Sequence, residues 1–301
     1  LHRRRHSFPT RRSSDLPAPT AKAVELGNTK LHYVDQGQGP VIVMIHGLAG
    51  SLQNFTYGVA SPLAKNYRVI CVDRPGCGYS TRPREADSSL EAQADTMALL
   101  LDHLGIESAV FVGHSLGGAI SLAMAQRHPH KVKALALIAP LTHLPEETAP
   151  VFKPLDIASP LARQILAWTL AIPGTIYRMN VSLKVIFGPE KAPSDFAIRG
   201  GGILSLRPQN FITASKDLQQ AKTSMPNIED GYASMSTPIS VLYGREDRVL
   251  SCKLNGEDLM DRMAGLNLTL VSGGHMLPVT QVERTVQFIA DAAGKATGLA
   301  S

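Results

Sequence analysis

The sequence predicts an α/β domain with a mostly parallel central sheet covered on both faces by helices. Three observations predict it. Strand-like and helix-like segments alternate along most of the 301 residues, the signature of strands joined by crossover helices. Several strand candidates are unbroken apolar runs, which suits strands buried on both faces. The alternation breaks once, between residues 142 and 225, where helical segments separated by Pro and Gly replace the strands.

The elements follow in order. Residues 22 to 26 and 30 to 34 form an opening hairpin turned at Gly27-Asn28, and residues 41 to 45 are a fully apolar strand. Residues 67 to 72 are the next strand. A helix over 89 to 104 opens on a Ser cap and closes at Gly105. Residues 108 to 112 are a β-rich run, and 118 to 125 are small residues and good helix formers. Further strands are expected at 133 to 138, 239 to 243 and 268 to 271, with a closing helix over 279 to 293. Within the insertion, Ser159-Pro160 reads as a helix start, and Gly200-Gly201-Gly202 reads as a hinge or tight turn.

The first sixteen residues stand apart. Residues 6 to 16 match one translated frame of a common short-read sequencing adapter, so residues 1 to 16 are read as an assembly artefact; the alternative is a basic disordered tail. Removing the segment's five Arg and one Asp lowers the formal net charge from +5 to +1. The electrostatic case for a nucleic-acid partner goes with it. The native start, with any signal or anchor, is then expected to lie outside this sequence. The remaining chain is long enough for one large domain with an insertion. It holds no run of the roughly 18 apolar residues that a membrane span needs. Cys71, Cys77 and Cys252 are scattered and odd in number. They suggest a reducing compartment, hence a cytoplasmic protein, and form neither a disulfide framework nor a metal cluster.

The most informative motif is Gly113-His114-Ser115-Leu116-Gly117. The bare G-x-S-x-G pattern recurs by chance, but here it lies between an apolar strand and an apolar helix. A chain turning sharply at that point projects the serine hydroxyl into open space. A serine needs a base, and the base an anion to hold its tautomer. In an open parallel sheet these groups lie beyond the carboxyl ends of strands. Asp247 follows the strand at 239 to 243, and His275 follows that at 268 to 271 through Gly273-Gly274. Glu246 is the nearest substitute acid. His114 is expected to pack or to support rather than react. The His46-Gly47-Leu48 loop closes the strand at 41 to 45; its useful group is the Leu48 backbone N–H, which with that of Leu116 would hold an oxyanion.

With these motifs and the segment Asp73-Arg74-Pro75-Gly76-Cys77-Gly78-Tyr79-Ser80, the chain resembles the α/β-hydrolase superfamily over nearly all of residues 23 to 293, specifically the serine-nucleophile, esterase-like group with a helical cap. The resemblance implies a cap over the site, inserted after the sixth strand, with a core of 17 to 141 and 226 to 301 and a cap of 142 to 225. It implies structural roles for Asp73 and Arg74. Ser115 argues against the halide- and epoxide-processing relatives, which use an aspartate.

The expected function is therefore a serine hydrolase of small or medium carboxylic esters, with Ser115, Asp247 and His275 catalytic and no metal or organic cofactor. His46, Gly47 and Trp168 are expected to touch substrate, Trp168 by lining or roofing the acyl pocket. Carbon–carbon, lactone or amide hydrolysis and cofactor-free perhydrolysis on the same triad are the alternatives within the fold. A slowly turning over, receptor-like ligand binder is the alternative of another class.

Overall fold

A computed structural model describes residues 21–263 and 265–298; the segment read as adapter-derived lies outside the described residues. The strands are β1 (Ala21–Leu26), β2 (Thr29–Gln36), β3 (Val41–Ile45), β4 (Arg68–Val72), β5 (Ala109–His114), β6 (Val132–Ile138), β7 (Ile239–Gly244) and β8 (Asn267–Val271). They form one sheet in the order β1-β2-β4-β3-β5-β6-β7-β8. β2 is antiparallel to both β1 and β4, and every later pairing is parallel. The parallel part needs crossovers, which the helices supply.

Side chains alternate across the sheet. Val43 and Ile45 of β3 join one buried cluster with Ile70, Val72, Phe111 and Leu135, whereas Ile42 and Met44 join the opposite cluster with Val69, Val110 and Ala136. This period of two explains why the strands read as unbroken apolar runs: both faces are core. The first face is covered by α1 (Leu90–His103) and α2 (Leu116–Arg127), the second by α6 (Val282–Thr297) and the short helices Gln53–Thr56 and Ala60–Leu63.

Helix ends follow capping chemistry. The Ser89 side chain accepts from the Ala92 amide at 3.1 Å and opens α1. Between β6 and β7 lie α3 (Pro160–Thr169), α4 (Ala171–Phe187) and α5 (Pro208–Asp230). Ser159 caps α3 through the Ala162 amide, with Pro160 at its first position.

Two boundaries differ from the sequence reading. The expected end of the cap at residue 225 falls inside α5, which runs on through Pro226 to Asp230. The closing helix expected over 279 to 293 is two helices, Leu277–Thr280 and α6, with Gln281 between them in a non-helical conformation. No described helix is long and apolar enough to cross a membrane.

Candidate active site

Ser115 is the single residue between β5 and α2, with φ 55° and ψ −121°. That conformation is foreign to residues bearing a Cβ and costs about 1–3 kcal/mol. The surroundings over-determine it: the Ser115 amide donates to the Ile138 carbonyl at 3.1 Å, and its carbonyl accepts from the Gly118 and Leu141 amides at 2.8 and 3.0 Å. Two glycines make room. A Cβ on Gly117 would strike the Ile45 carbonyl, and one on Gly47 would come 2.9 Å from the Ser115 Cβ. Strand, loop and helix therefore converge on the serine only because those positions lack side chains.

Asp247 lies three residues past the end of β7, its carboxylate fully buried. Oδ1 accepts from the Val249 and Leu250 amides at 2.8 and 3.0 Å, and Oδ2 is 2.7 Å from His275 Nδ1. With the carboxylate as acceptor, Nδ1 carries the proton and Nε2 is left with its lone pair. The His275 loop is braced from several sides. The Gly273 amide donates to Glu246 at 2.6 Å and the Gly274 amide to Glu190 at 3.1 Å. Glu246, the substitute acid, thus binds loop backbone rather than the imidazole. His114 Nε2 donates to the His275 carbonyl at 3.0 Å, with the two rings 4.9 Å apart. Burial, and secondarily His275, push the His114 pKa down to about 3, so this support is neutral. Ser115 and His275 line one cavity. Among the described residues no direct hydrogen bond joins Ser115 Oγ to Nε2, a contact that such pairs often tighten only with substrate bound.

Leu48 and Leu116 flank the serine on the wall of an adjoining cavity. As the first residue of α2, Leu116 has an amide with no acceptor inside the helix, at the end of the helix where negative charge is favoured. His46 corrects the expectation of a substrate contact. Its ring is fully buried: Nδ1 donates to the Gly47 carbonyl at 2.9 Å, and Nε2 accepts from the Arg74 amide at 3.1 Å. Burial, with Arg74 adding, lowers its pKa to about 3. His46 shapes the loop, while Gly47 itself lines the cavity.

The loop has a second clamp. Arg74 donates to the His46 and Gly47 carbonyls, both at 3.1 Å, and pairs at 2.6 Å with Asp217 of α5. Asp73 accepts from the Leu52 and Tyr79 amides at 2.8 and 2.9 Å. Both residues hold the loops beside Ser115, as the resemblance implies. Cys77 is buried and lines neither cavity, and burial pushes its thiol up to about 12.

Two cavities meet at Ser115 and Leu48, of about 910 and 660 Å³. The larger runs under α3 and α4 and is walled by Leu166, Leu170, Met179, Ile186 and Phe211, with Arg178 its cation. The smaller is lined by apolar side chains, among them Leu141, Leu144 and Leu250, and by charged ones at Glu146, Lys153 and Lys222. Trp168 belongs to neither: its side chain is 67% exposed. Arg163 and Ala167 occupy the buried face of α3, and one helical step of about 100° from Ala167 turns residue 168 to solvent. Gly200–Gly202 form a tight turn whose Gly200 carbonyl accepts from Asn54 at 2.9 Å, tying the segment between β6 and β7 to the loop after β3.

Sequence reasoning missed Asp217, Glu190 and the lining position Leu166. The signal for Asp217 was Arg74 itself, since a guanidinium in a buried loop requires a carboxylate; which carboxylate depends on a contact 143 positions away. Among the described residues no group of three His, Cys, Asp or Glu side chains is placed to hold a metal ion.

A family model described as alpha/beta hydrolase fold matches residues 40–171. Among curated proteins, the chain is 32% identical over 175 residues to cis-3-alkyl-4-alkyloxetan-2-one decarboxylase of Shewanella oneidensis, covering 56% of this chain and 52% of that protein. It is 42% identical over 112 residues to 2-hydroxymuconate semialdehyde hydrolase of Pseudomonas sp. strain CF600, covering 36% and 39%. The matches thus span about half or less of those relatives' lengths. Among solved structures, an alpha/beta hydrolase fold protein from Burkholderia ambifaria superposes with a TM-score of 0.76 at 22% identity, over 92% of this chain and 98% of that one. The site residues Asp247 and His275 lie beyond the segment matched by the family model.

Proposed function

We propose, from the α/β-hydrolase fold that the chain shares with the family model and the solved structures, that it is a serine hydrolase of carboxylic esters working through an acyl-enzyme. The observation that carries this reading is the 2.7 Å Asp247–His275 pair, whose imidazole lines the same cavity as the elbow serine. Ser115 attacks the ester carbonyl while His275 Nε2 takes its proton. Asp247, fixed by two backbone amides, keeps the proton on Nδ1 and stabilises the imidazolium. The Leu48 and Leu116 amides hold the oxyanion, each contributing about 3 kcal/mol. His275 then protonates the departing alcohol, and a water activated by the same nitrogen releases the acid.

The apolar walls of the larger cavity favour an apolar or mixed substrate of small to medium size. A second reading, hydrolysis of a substrate other than an ester on the same residues, is favoured by the 42% identity over 112 residues to a protein named as a semialdehyde hydrolase.

The test is a panel of p-nitrophenyl esters of graded acyl length, assayed with the wild-type chain and Ser115→Ala, alongside labelling by a fluorophosphonate probe. The proposal expects a burst of nitrophenol, covalent labelling, and loss of both in the variant. Undiminished turnover by folded Ser115→Ala would overturn it; tight ligand binding with no turnover would instead support a receptor-like role.

A further inference from the structure

Among the described residues, seven of the twelve large apolar side chains left exposed lie between Leu161 and Val181. This concentration is not a by-product of packing. On α3 the exposed residues Leu161, Ile165 and Trp168 recur at i, i+4 and i+7, a continuous stripe facing away from the buried Arg163 and Ala167. On α4, joined to α3 by Leu170 alone, Ile176, Tyr177 and Val181 are exposed in the same manner, and of its seventeen residues only Phe187 is buried. A soluble surface places polar residues at such positions, and apolar patches of this kind mark an interaction face.

Along the segment that carries the stripes the charges are of one sign. From residue 157 to residue 189 there is no Asp or Glu, and the charged residues are Arg163, Arg178 and Lys184. Arg163 is buried, whereas Arg178 and Lys184 are exposed on α4. The larger cavity also reaches this surface: Leu170 and Arg178 line it and are exposed as well.

We propose that the α3–α4 face docks on the surface of a membrane containing anionic lipid. Aromatic and aliphatic side chains on the outer face of a helix enter the headgroup boundary, Trp and Tyr being suited to it by their amphipathic rings. Arg178 and Lys184 meet lipid phosphates. A second copy fits the face less well, because a two-fold contact sets each patch against itself and brings these cations together without a carboxylate from either helix pair. Docking does not depend on the proposed chemistry. Its consequence, that ester substrates reach Ser115 from the lipid phase past Leu170, rests on that reading.

Trp168 is the only tryptophan in the chain, so its emission reports the face directly. The full chain is mixed with vesicles of phosphatidylcholine alone and of equal parts phosphatidylcholine and phosphatidylglycerol, and fluorescence and co-sedimentation are followed. Docking expects a blue shift and sedimentation with the mixed vesicles that weaken as salt is raised. The variant Ile165→Glu with Val181→Glu, two exposed positions lining neither cavity, is expected to bind vesicles about tenfold more weakly. It should hydrolyse a short soluble ester at the wild-type rate. No spectral shift and no sedimentation with either vesicle would overturn the proposal, as would equal binding to phosphatidylcholine alone. A blue shift that depends on protein concentration without vesicles, with a dimer in solution, would overturn it in favour of a second copy. Vesicle binding by a chain inactive on every ester would leave docking standing and refute the ester reading.

Discussion

Arg74 and Asp217 form a fully buried ion pair at 2.6 Å that joins the loop after β4 to α5. The same guanidinium holds the His46 and Gly47 carbonyls, so α5 and the loop carrying the Leu48 amide share one anchor. Arg82 adds a second cation 2.8 Å from Asp217.

Asp217→Asn is expected to destabilise the fold by about 3–5 kcal/mol, because it strands buried positive charge. The triple variant Arg74→Met, Arg82→Met and Asp217→Leu, which leaves no charge of the cluster behind, should cost less in stability yet still lower turnover, since the carbonyls lose their clamp. Urea unfolding beside kcat on a short ester separates the two effects. Equal stability of Asp217→Asn and wild type would show the pair to be dispensable.

Asp247→Asn should lower kcat by about 10⁴, by releasing the imidazole into the wrong tautomer. Glu246→Gln should change it little, because that carboxylate touches only the backbone and side chain of the 272–273 turn. If Glu246→Gln proves the more damaging, the acid has been misassigned.

Chain-length selectivity should answer to Leu166 and not to Trp168. Leu166→Phe narrows the larger cavity and is expected to lower kcat/KM for the longest esters about tenfold relative to acetate. Trp168→Ala should leave the ranking unchanged. A reversal between these two variants would place the acyl pocket on the other side of α3.

Stability should fall with acid before any carboxylate begins to titrate. His46 and His114 have folded pKa values of about 3 against an ordinary 6.5, so between those values the unfolded chain binds protons that the folded one refuses. Their contribution is full above 6.5 and is lost as pH drops towards 3, at up to about 1.4 kcal/mol per pH unit for each ring. Thermal midpoints measured in steps below pH 6.5 should decline, and His114→Gln should flatten the slope. A constant midpoint down to the carboxylate range would contradict this.

The elements legible in the sequence are those whose cause is local. The turn at Ser115 is written in five consecutive residues, and Asp247 and His275 each follow a strand that periodicity reveals. Trp168 is misassigned from sequence because the helix start at Ser159-Pro160 gives a helix but does not say which face is inside; the buried Arg163 and Ala167 decide that, and only packing shows it. The closing helix was misplaced because the one-residue break at Gln281 has no Gly or Pro to announce it. Asp217 was invisible as a partner because its contact joins positions 143 residues apart.

The left-handed backbone at Ser115 also sets a ceiling on how robust the molecule is. Glycine tolerates that region and alanine does not, so Ser115→Gly removes the hydroxyl while relieving about 1–3 kcal/mol of conformational strain. The inert protein would then melt higher than the working one. A chain selected only to keep its shape has no reason to hold a serine at that position. The deficit in heat resistance is thus a physical record of use, measurable without knowing the substrate.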